Sequence, residues 1–144
     1  MRPLLVALLI ISGFYGYGQS IVGTWKTIDD ETGKPKSIVE ITEREGKIYG
    51  KIVKLFREPD EDPDPVCDEC DEDDPRFNQK VIGMEIIKDM KADKKGEVYE
   101  DGTILDPANG NVYDCELWVE EGKLRVRGYI LFLYRTQTWF PYEG

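Results

Sequence analysis

Two cysteines at the spacing Cys-x-x-Cys, Cys67 and Cys70, form the most specific chemical pattern in the chain. Such a pair can form a structural disulfide, cycle as a redox dithiol or supply two ligands of a zinc site. Acidic residues flank both sulfurs and would raise a thiol pKa, and zinc would need a second pair or histidines, of which the chain has none. We therefore predict a Cys67–Cys70 disulfide and a buried structural thiol at the third cysteine, Cys115. Metal binding, redox cycling and pairing through Cys115 are the alternatives.

Acidic side chains are concentrated in one segment. Eleven of the 29 Asp and Glu residues lie between residues 58 and 74, where there is no Lys or Arg, and the net charge of the whole chain is −10. The segment therefore accounts for all of the excess charge. Its prolines and its small number of apolar residues predict one long acidic loop, residues 57–76. A protein with this charge repels nucleic acid and anionic membranes, so we expect no nucleic-acid partner.

The acidic loop also raises the possibility of a calcium site. Two features argue against an EF-hand, because Pro65 occupies the position that needs Gly and the last ligand position is Asp rather than Glu. We therefore consider Ca²⁺ as the only cofactor, bound weakly by the clustered carboxylates, with Asp60, Asp62 and Asp64 as candidate ligands. A solvated loop without metal is the alternative. The EF-hand spacing is matched at positions 1, 3, 5, 9 and 12 by Asp60, Asp62, Asp64, Asp68 and Asp71.

Short β-type runs separated by turn sequences fill the rest of the chain. Residues 47–56 alternate most clearly, and Glu45-Gly46, Asn109-Gly110 and Glu121-Gly122 are typical turn dipeptides. No stretch shows a helical period. We predict one all-β domain, residues 19–144, in which eight or nine antiparallel strands form a single barrel of the lipocalin or calycin type, because closure removes exposed edges.

Gly23-Thr24-Trp25 stands at the start of the first predicted strand. Barrels of the lipocalin and avidin type begin in this way, with the Gly allowing a bend and the Trp plugging the closed end. A cation from near the last strand often stacks on that Trp. We expect Arg135 to form this barrel-closing pair with Trp25, with Arg127 as the second candidate. Alternatively, Trp25 is an ordinary core aromatic residue.

Aromatic residues are numerous on the predicted strands, and some of them must point into the barrel. An eight-stranded barrel is just wide enough to be filled by side chains or to hold one small ligand. We therefore predict a ligand pocket and keep a filled core as the alternative. The candidate pocket residues are Tyr49, Tyr113, Trp118, Tyr129 and Trp139.

The first residues have the pattern of a secretory signal peptide. Arg2 provides a positive charge, residues 4–14 are almost entirely apolar, and Gly16 and Gly18 are small residues at a cleavage site. The apolar run is too short to cross a bilayer, which takes roughly 20 residues. We expect residues 1–18 to be removed and the mature protein to be periplasmic or secreted, without a membrane span.

An ordered set of motifs resembles the exported bacterial proteins known as domain of unknown function 2147. The resemblance covers essentially the whole chain after the signal peptide. It implies a bacterial source, a periplasmic or outer-surface location and a lipocalin-like fold, and it supplies no catalytic residues. The motifs are Gly23-Thr24-Trp25, Tyr49-Gly50-Lys51-Ile52, the Cys67 and Cys70 pair, Ile82-Gly83-Met84, the run from Gly102 to Gly110, Arg127-Gly128-Tyr129, and the run from Arg135 to Trp139.

These features favour a non-enzymatic, exported barrel that binds a small, partly apolar molecule. The alternative is a protein-interaction module in which the acidic loop steers a cationic envelope partner, as in an inhibitor. An enzyme is disfavoured because His-based triads are impossible without histidine. Carboxylates such as Asp106 and Asp114 are close in sequence, but nothing orders them as acid and base.

Overall fold

The structure is a computed structural model that describes residues 20–144. The predicted signal peptide, residues 1–18, lies outside the described residues. Eight strands make up the described part of the chain. They are β1 (Gly23–Ile28), β2 (Pro35–Arg44), β3 (Lys47–Leu55), β4 (Glu85–Ala92), β5 (Val98–Asp106), β6 (Asn111–Glu120), β7 (Lys123–Ile130) and β8 (Leu133–Pro141).

Each strand pairs antiparallel with the next, and β8 returns to β1 to close the barrel. The closing pairs are Trp25 with Pro141 and Lys26 with Phe140. The predicted all-β fold, a single closed antiparallel barrel, is therefore confirmed. Within residues 20–144, no helix is long and apolar enough to cross a membrane.

The two ends of the barrel differ in their connections. One end, which we call the base, contains the short turns at residues 45–46, 93–97 and 121–122 and the start of β1. The other end, which we call the mouth, contains the segments 29–34, 56–84, 107–110 and 131–132. The two longest connections, residues 29–34 and 56–84, both lie at the mouth.

Apolar side chains fill the barrel from the base to the segment 56–84 at the mouth. The Trp25 indole Nε1 donates a hydrogen bond of 2.9 Å to the carbonyl oxygen of Ile21, so the segment before β1 is tied to the core. Both residues are buried. Each of the eight strands contributes inward-facing side chains to the same core cluster. This cluster includes Val39, Ile41, Ile48, Ile52, Ile87, Met90, Leu105, Cys115, Leu117, Leu124, Val126 and Trp139.

Backbone irregularities bend the strands so that the barrel can close. Asp89 and Asp101 have positive φ values of 61° and 65°, and the strand register shifts near both residues. Such bulges increase the local twist and bend of a strand. Between β3 and β4, Gly50 faces Ile87, and a Cβ atom at Gly50 would lie 2.9 Å from Ile87 Cδ1. Glycine therefore allows the two strands to approach closely with Ile87 in the core.

The connection between β3 and β4 (residues 56–84, the β3–β4 loop) packs against the barrel. Its disulfide partners Cys67 and Cys70 are buried together with Val81 and Met84, and all four belong to the core cluster. An antiparallel bridge between Val66 and Lys80 joins its two arms. The loop therefore has an apolar underside although most of its acidic side chains are exposed.

Candidate functional site

The five aromatic residues predicted to form a ligand pocket do not share a face of the barrel. Trp139 is 2% exposed and lies in the core. Tyr113 is on the same side of β6 as the buried Cys115, and its hydroxyl accepts hydrogen bonds from the side chains of Asn109 and Asn111. Tyr113 therefore belongs to the mouth, next to the β5–β6 turn.

The other three predicted pocket residues point outward. Trp118 alternates with the buried Leu117, Tyr129 pairs with the exposed Asp114, and Tyr49 lies between buried residues on β3. Because successive side chains of a strand point to opposite faces, these three aromatic rings lie on the outer surface. The prediction of one pocket lined by all five residues is wrong, because aromatic composition carries no information on which face of a strand is internal.

A chain of polar contacts links the core to the mouth. The Trp139 Nε1 donates to Gln137 Oε1 at 3.1 Å, and Gln137 Nε2 donates to Asp30 Oδ2 at 2.8 Å. Asp30 Oδ2 also lies 3.2 Å from the Arg135 guanidinium. Gln137 and Arg135 are on the same side of β8 as Trp139, so these groups face the barrel lumen at its mouth. We call Asp30, Arg135, Gln137 and Trp139 the mouth chain.

The structure does not form the predicted stack of Arg135 on Trp25. The Arg135 side chain is 72% exposed and pairs with Asp30, whereas Trp25 is buried near the base. The two residues lie towards opposite ends of the barrel, because Trp25 is at the beginning of β1 and Arg135 is near the mouth end of β8. Trp25 is a core aromatic whose polar atom is satisfied by Ile21.

Arg127, the second candidate for that stack, contacts other rings. Its guanidinium carbon lies 4.9 Å from the centroid of the Trp118 ring and 4.3 Å from that of Tyr134, and its Nε donates to Thr136. Beside it, Tyr129 donates to Glu116 at 3.0 Å. This outer-face cluster was not predicted, although the alternation of Arg125, Arg127 and Tyr129 along β7 is the sequence signal for a shared face.

The predicted disulfide between Cys67 and Cys70 is confirmed. Cys115 is free and buried, as predicted. Burial away from water, together with the neighbouring Glu116 carboxylate, raises the pKa of the Cys115 thiol to about 12. A thiol in this state is not a nucleophile at neutral pH, so Cys115 has a packing role.

An ion pair orders the end of the β3–β4 loop. Asp74 and Arg76 form two hydrogen bonds between their side chains, and Arg76 Nη1 donates to the Glu85 carbonyl oxygen at 3.0 Å. Both side chains are largely buried. The Arg76 guanidinium lowers the pKa of Asp74 to about 2. The pair therefore connects the acidic loop to the start of β4.

The β5–β6 turn forms the other attachment of the β3–β4 loop. Gly110 has a φ of 75°, and a Cβ atom there would collide with the carbonyl oxygen of Glu69. The sulfur of Cys67 lies 3.8 Å from the carbonyl oxygen of Pro107. The Asn109-Gly110 turn seen in the sequence therefore also serves as a docking site for the disulfide segment.

Two clefts lie on the flanks of the barrel. One has a volume of about 380 Å³ beneath the β3–β4 loop and is lined by Arg76, Lys80 and Lys88 with Met84. The other has a volume of about 410 Å³, and its wall includes four carboxylates, those of Glu100, Asp101, Asp114 and Glu116. Neither cleft includes a residue of the mouth chain.

The candidate calcium ligands are not assembled. Asp62 accepts a hydrogen bond from the Asp64 backbone, and Asp64 pairs with Lys80 at 3.1 Å. Among residues 20–144, no three Asp, Glu, Cys or His side chains are grouped so that they could hold a metal ion. The EF-hand-like spacing of the sequence is therefore not matched by the geometry of Asp60, Asp62 and Asp64.

A family model described as an uncharacterized protein conserved in bacteria (DUF2147) matches residues 23–140, which span all eight strands. The chain belongs to this family. The resemblance noted in the sequence is thus confirmed. No curated protein matches this DUF2147 chain.

A solved structure shares the fold of this DUF2147 protein. It is described as protein HP1028 from the human pathogen Helicobacter pylori, which belongs to the lipocalin family. The two are 18% identical, the match covers 87% of this chain and 84% of the other, and the TM-score is 0.71. This likeness establishes a lipocalin-like fold, which in general suits ligand binding. The bacterial family and the disulfide are consistent with a location outside the cytoplasm.

Proposed function

We propose that this DUF2147 protein is an exported, non-enzymatic barrel that binds a small, partly apolar molecule at its mouth. The observation that carries the proposal is the mouth chain. It places an acceptor, an amide and a guanidinium at the mouth end of a barrel whose base is filled with apolar side chains. A few convergent polar groups beside an apolar floor are typical of small-molecule sites.

Arg135 and Gln137 contact different parts of the ligand in this proposal. Arg135, which is exposed and pairs with Asp30, suits a polar or anionic head group, because a guanidinium binds carboxylates and phosphates with two parallel hydrogen bonds. Gln137 orients the Trp139 indole and offers an amide to the ligand. Since the base is filled, the ligand occupies the mouth and not the full depth of the barrel.

Native mass spectrometry of the protein purified from a periplasm tests this proposal. We expect an additional mass of a few hundred daltons that is lost on denaturation. Gln137→Ala should lower the occupied fraction, whereas the matched change Gln79→Ala, in the flank cleft, should not. An unmodified chain mass in every preparation would argue against the proposal, and loss caused by Gln79→Ala alone would move the ligand to the flank cleft.

A second candidate function, capture of a cationic envelope protein, is favoured by the exposed carboxylates of the β3–β4 loop. The disulfide, the Asp74–Arg76 pair and the contact with Gly110 hold these charges in place, which reduces the entropy lost on binding. Asp71→Asn, Glu72→Gln and Asp73→Asn together remove three exposed charges and leave the structural Asp74 intact. Pull-downs against basic envelope proteins should lose the partner in this variant and at high salt.

A further inference from the structure

The turn between β7 and β8 exposes a continuous group of large apolar side chains. Leu131 and Phe132 are 88% and 87% exposed, and their neighbours Ile130 and Leu133 are more than half exposed. We call residues 130–133 the apolar tip. Contiguous exposed apolar surface usually marks a site of interaction. Here it forms the convex end of a two-residue hairpin at the mouth.

The residues of this turn oppose its backbone geometry. Within residues 20–144 there are two other two-residue hairpin turns, Glu45-Gly46 and Glu121-Gly122, in which both the Glu and the Gly have positive φ values. In the apolar tip, Leu131 takes a φ of 56°, which costs a non-glycine residue about 1 kcal/mol or more. Glu45 and Glu121 take the same left-handed conformation at the first position of the other two turns, so a charged residue fits there. The turn between β7 and β8 differs from them in filling both positions with large apolar side chains.

Below the apolar tip the hairpin carries aromatic and then cationic side chains. Tyr129 and Tyr134 form the next cross-strand pair, with ring centroids 5.9 Å apart. The Arg127 guanidinium packs on the Tyr134 ring one step further from the tip, and Arg135 is exposed beside it. Apolar, aromatic and cationic groups follow one another in the same order across a bilayer interface, from acyl chains to phosphates.

We propose that the apolar tip inserts into the surface of a phospholipid bilayer and holds the barrel with its mouth towards the membrane. A protein partner would need a concave surface that fits the protruding Leu131 and Phe132, whereas fluid acyl chains accept a convex shape. The inference goes beyond the proposed function, since it does not depend on a ligand in the barrel.

The charge of the chain defines which lipids suit this contact. The acidic β3–β4 loop lies at the same end of the barrel but between strands on the other side of its circumference. Its carboxylates oppose a strongly anionic surface, so apolar insertion and not net charge drives the binding. We expect binding to zwitterionic phosphatidylcholine vesicles that changes little with salt, and weaker binding at low salt when phosphatidylglycerol is added.

Flotation of the full mature chain with phosphatidylcholine vesicles tests the proposal. The double variant Leu131→Glu, Phe132→Gly gives this turn the sequence of the other two hairpins. It should fold, because Glu already takes a positive φ at the first position of the other two turns. It should bind vesicles on the order of 100-fold more weakly, because two large apolar side chains are lost from the lipid contact. Val53→Ser, which removes an exposed apolar side chain from β3, should bind like the parent chain.

A reporter at the tip gives a second measurement. The variant Phe132→Trp should show a blue-shifted emission with vesicles and quenching by lipids brominated in their acyl chains. The proposal fails if the parent chain does not float with vesicles or if the double variant floats equally well. It also fails if sedimentation shows, without vesicle binding, a dimer of the parent chain that the double variant abolishes, since the apolar tip would then bind a second copy.

Discussion

The base and the mouth are the two ends of the same eight strands, but their side chains have different surroundings. At the base, Trp25 is buried, its indole bonds to Ile21, and short turns leave little surface uncovered. At the mouth, the mouth chain is polar, the β3–β4 loop is acidic outside and apolar beneath, and the apolar tip faces solvent. Under the proposals above, the base serves stability, whereas the mouth combines buried core residues with the groups available for binding, as is usual when loops on a rigid scaffold carry function.

The largest effect expected from this comparison is at the base. Trp25→Ala removes a buried indole and should lower the free energy of unfolding by about 3–5 kcal/mol. Trp118→Ala, on the outer face against Arg127, should cost only about 1 kcal/mol. Urea unfolding of both variants measures the difference. Equal losses would mean that the two indoles support the fold to the same extent. The distinction between the buried core at the base and the outer face would then be lost.

The next effect concerns the β3–β4 loop. Replacing both cysteines, Cys67→Ser and Cys70→Ser, should cost about 1–2 kcal/mol, because the disulfide closes a very short chain segment but both sulfurs are buried. A reductant should destabilise the parent chain similarly and leave the double variant unchanged. Limited proteolysis should then cut first within residues 56–84. Cleavage elsewhere would show that the disulfide stabilises the barrel itself.

The next expected change in stability is similar to or smaller than that of the disulfide variant, and it depends on pH. The pKa of Asp74 is lowered to about 2 by Arg76, so its contribution to stability is complete above the ordinary carboxyl pKa near 4 and is lost as the pH falls towards 2. Asp74→Asn should cost roughly 1–2 kcal/mol at neutral pH and should remove this part of the acid sensitivity. Unfolding curves of the parent chain and the variant between pH 5 and about pH 2 check the expectation. Parallel curves would contradict it.

The smallest effect on stability is expected at the rim of the mouth. Arg135→Gln breaks an exposed ion pair with Asp30, and such pairs contribute about 0–1 kcal/mol. The variant should therefore unfold almost like the parent chain but retain less of the copurified ligand. A large loss of stability would show that the mouth chain is part of the structural core, and the contrast between base and mouth would weaken.

The strand pattern was predictable, because alternation and turn dipeptides are local properties of the sequence. Glu45-Gly46 and Glu121-Gly122 are hairpin turns with the positive φ values that such dipeptides favour. The Cys67–Cys70 pairing was predictable for the same reason, since a separation of three residues allows few other partners. The stack of Arg135 on Trp25 was predicted incorrectly because it depended on which end of the barrel each residue reaches.

The sequence alone determined the class of this protein, namely a closed all-β barrel of the DUF2147 type with its excess charge in one segment, because periodicity, turn chemistry and charge are written along the chain. Only the tertiary structure decided which aromatic rings face outward and that Gln137 links the buried Trp139 to Asp30 at the mouth. It also showed that the acidic loop is held on the barrel through Cys67, Arg76 and Gly110. These contacts join residues far apart in the chain, so they depend on strand register and barrel closure, which no local pattern encodes.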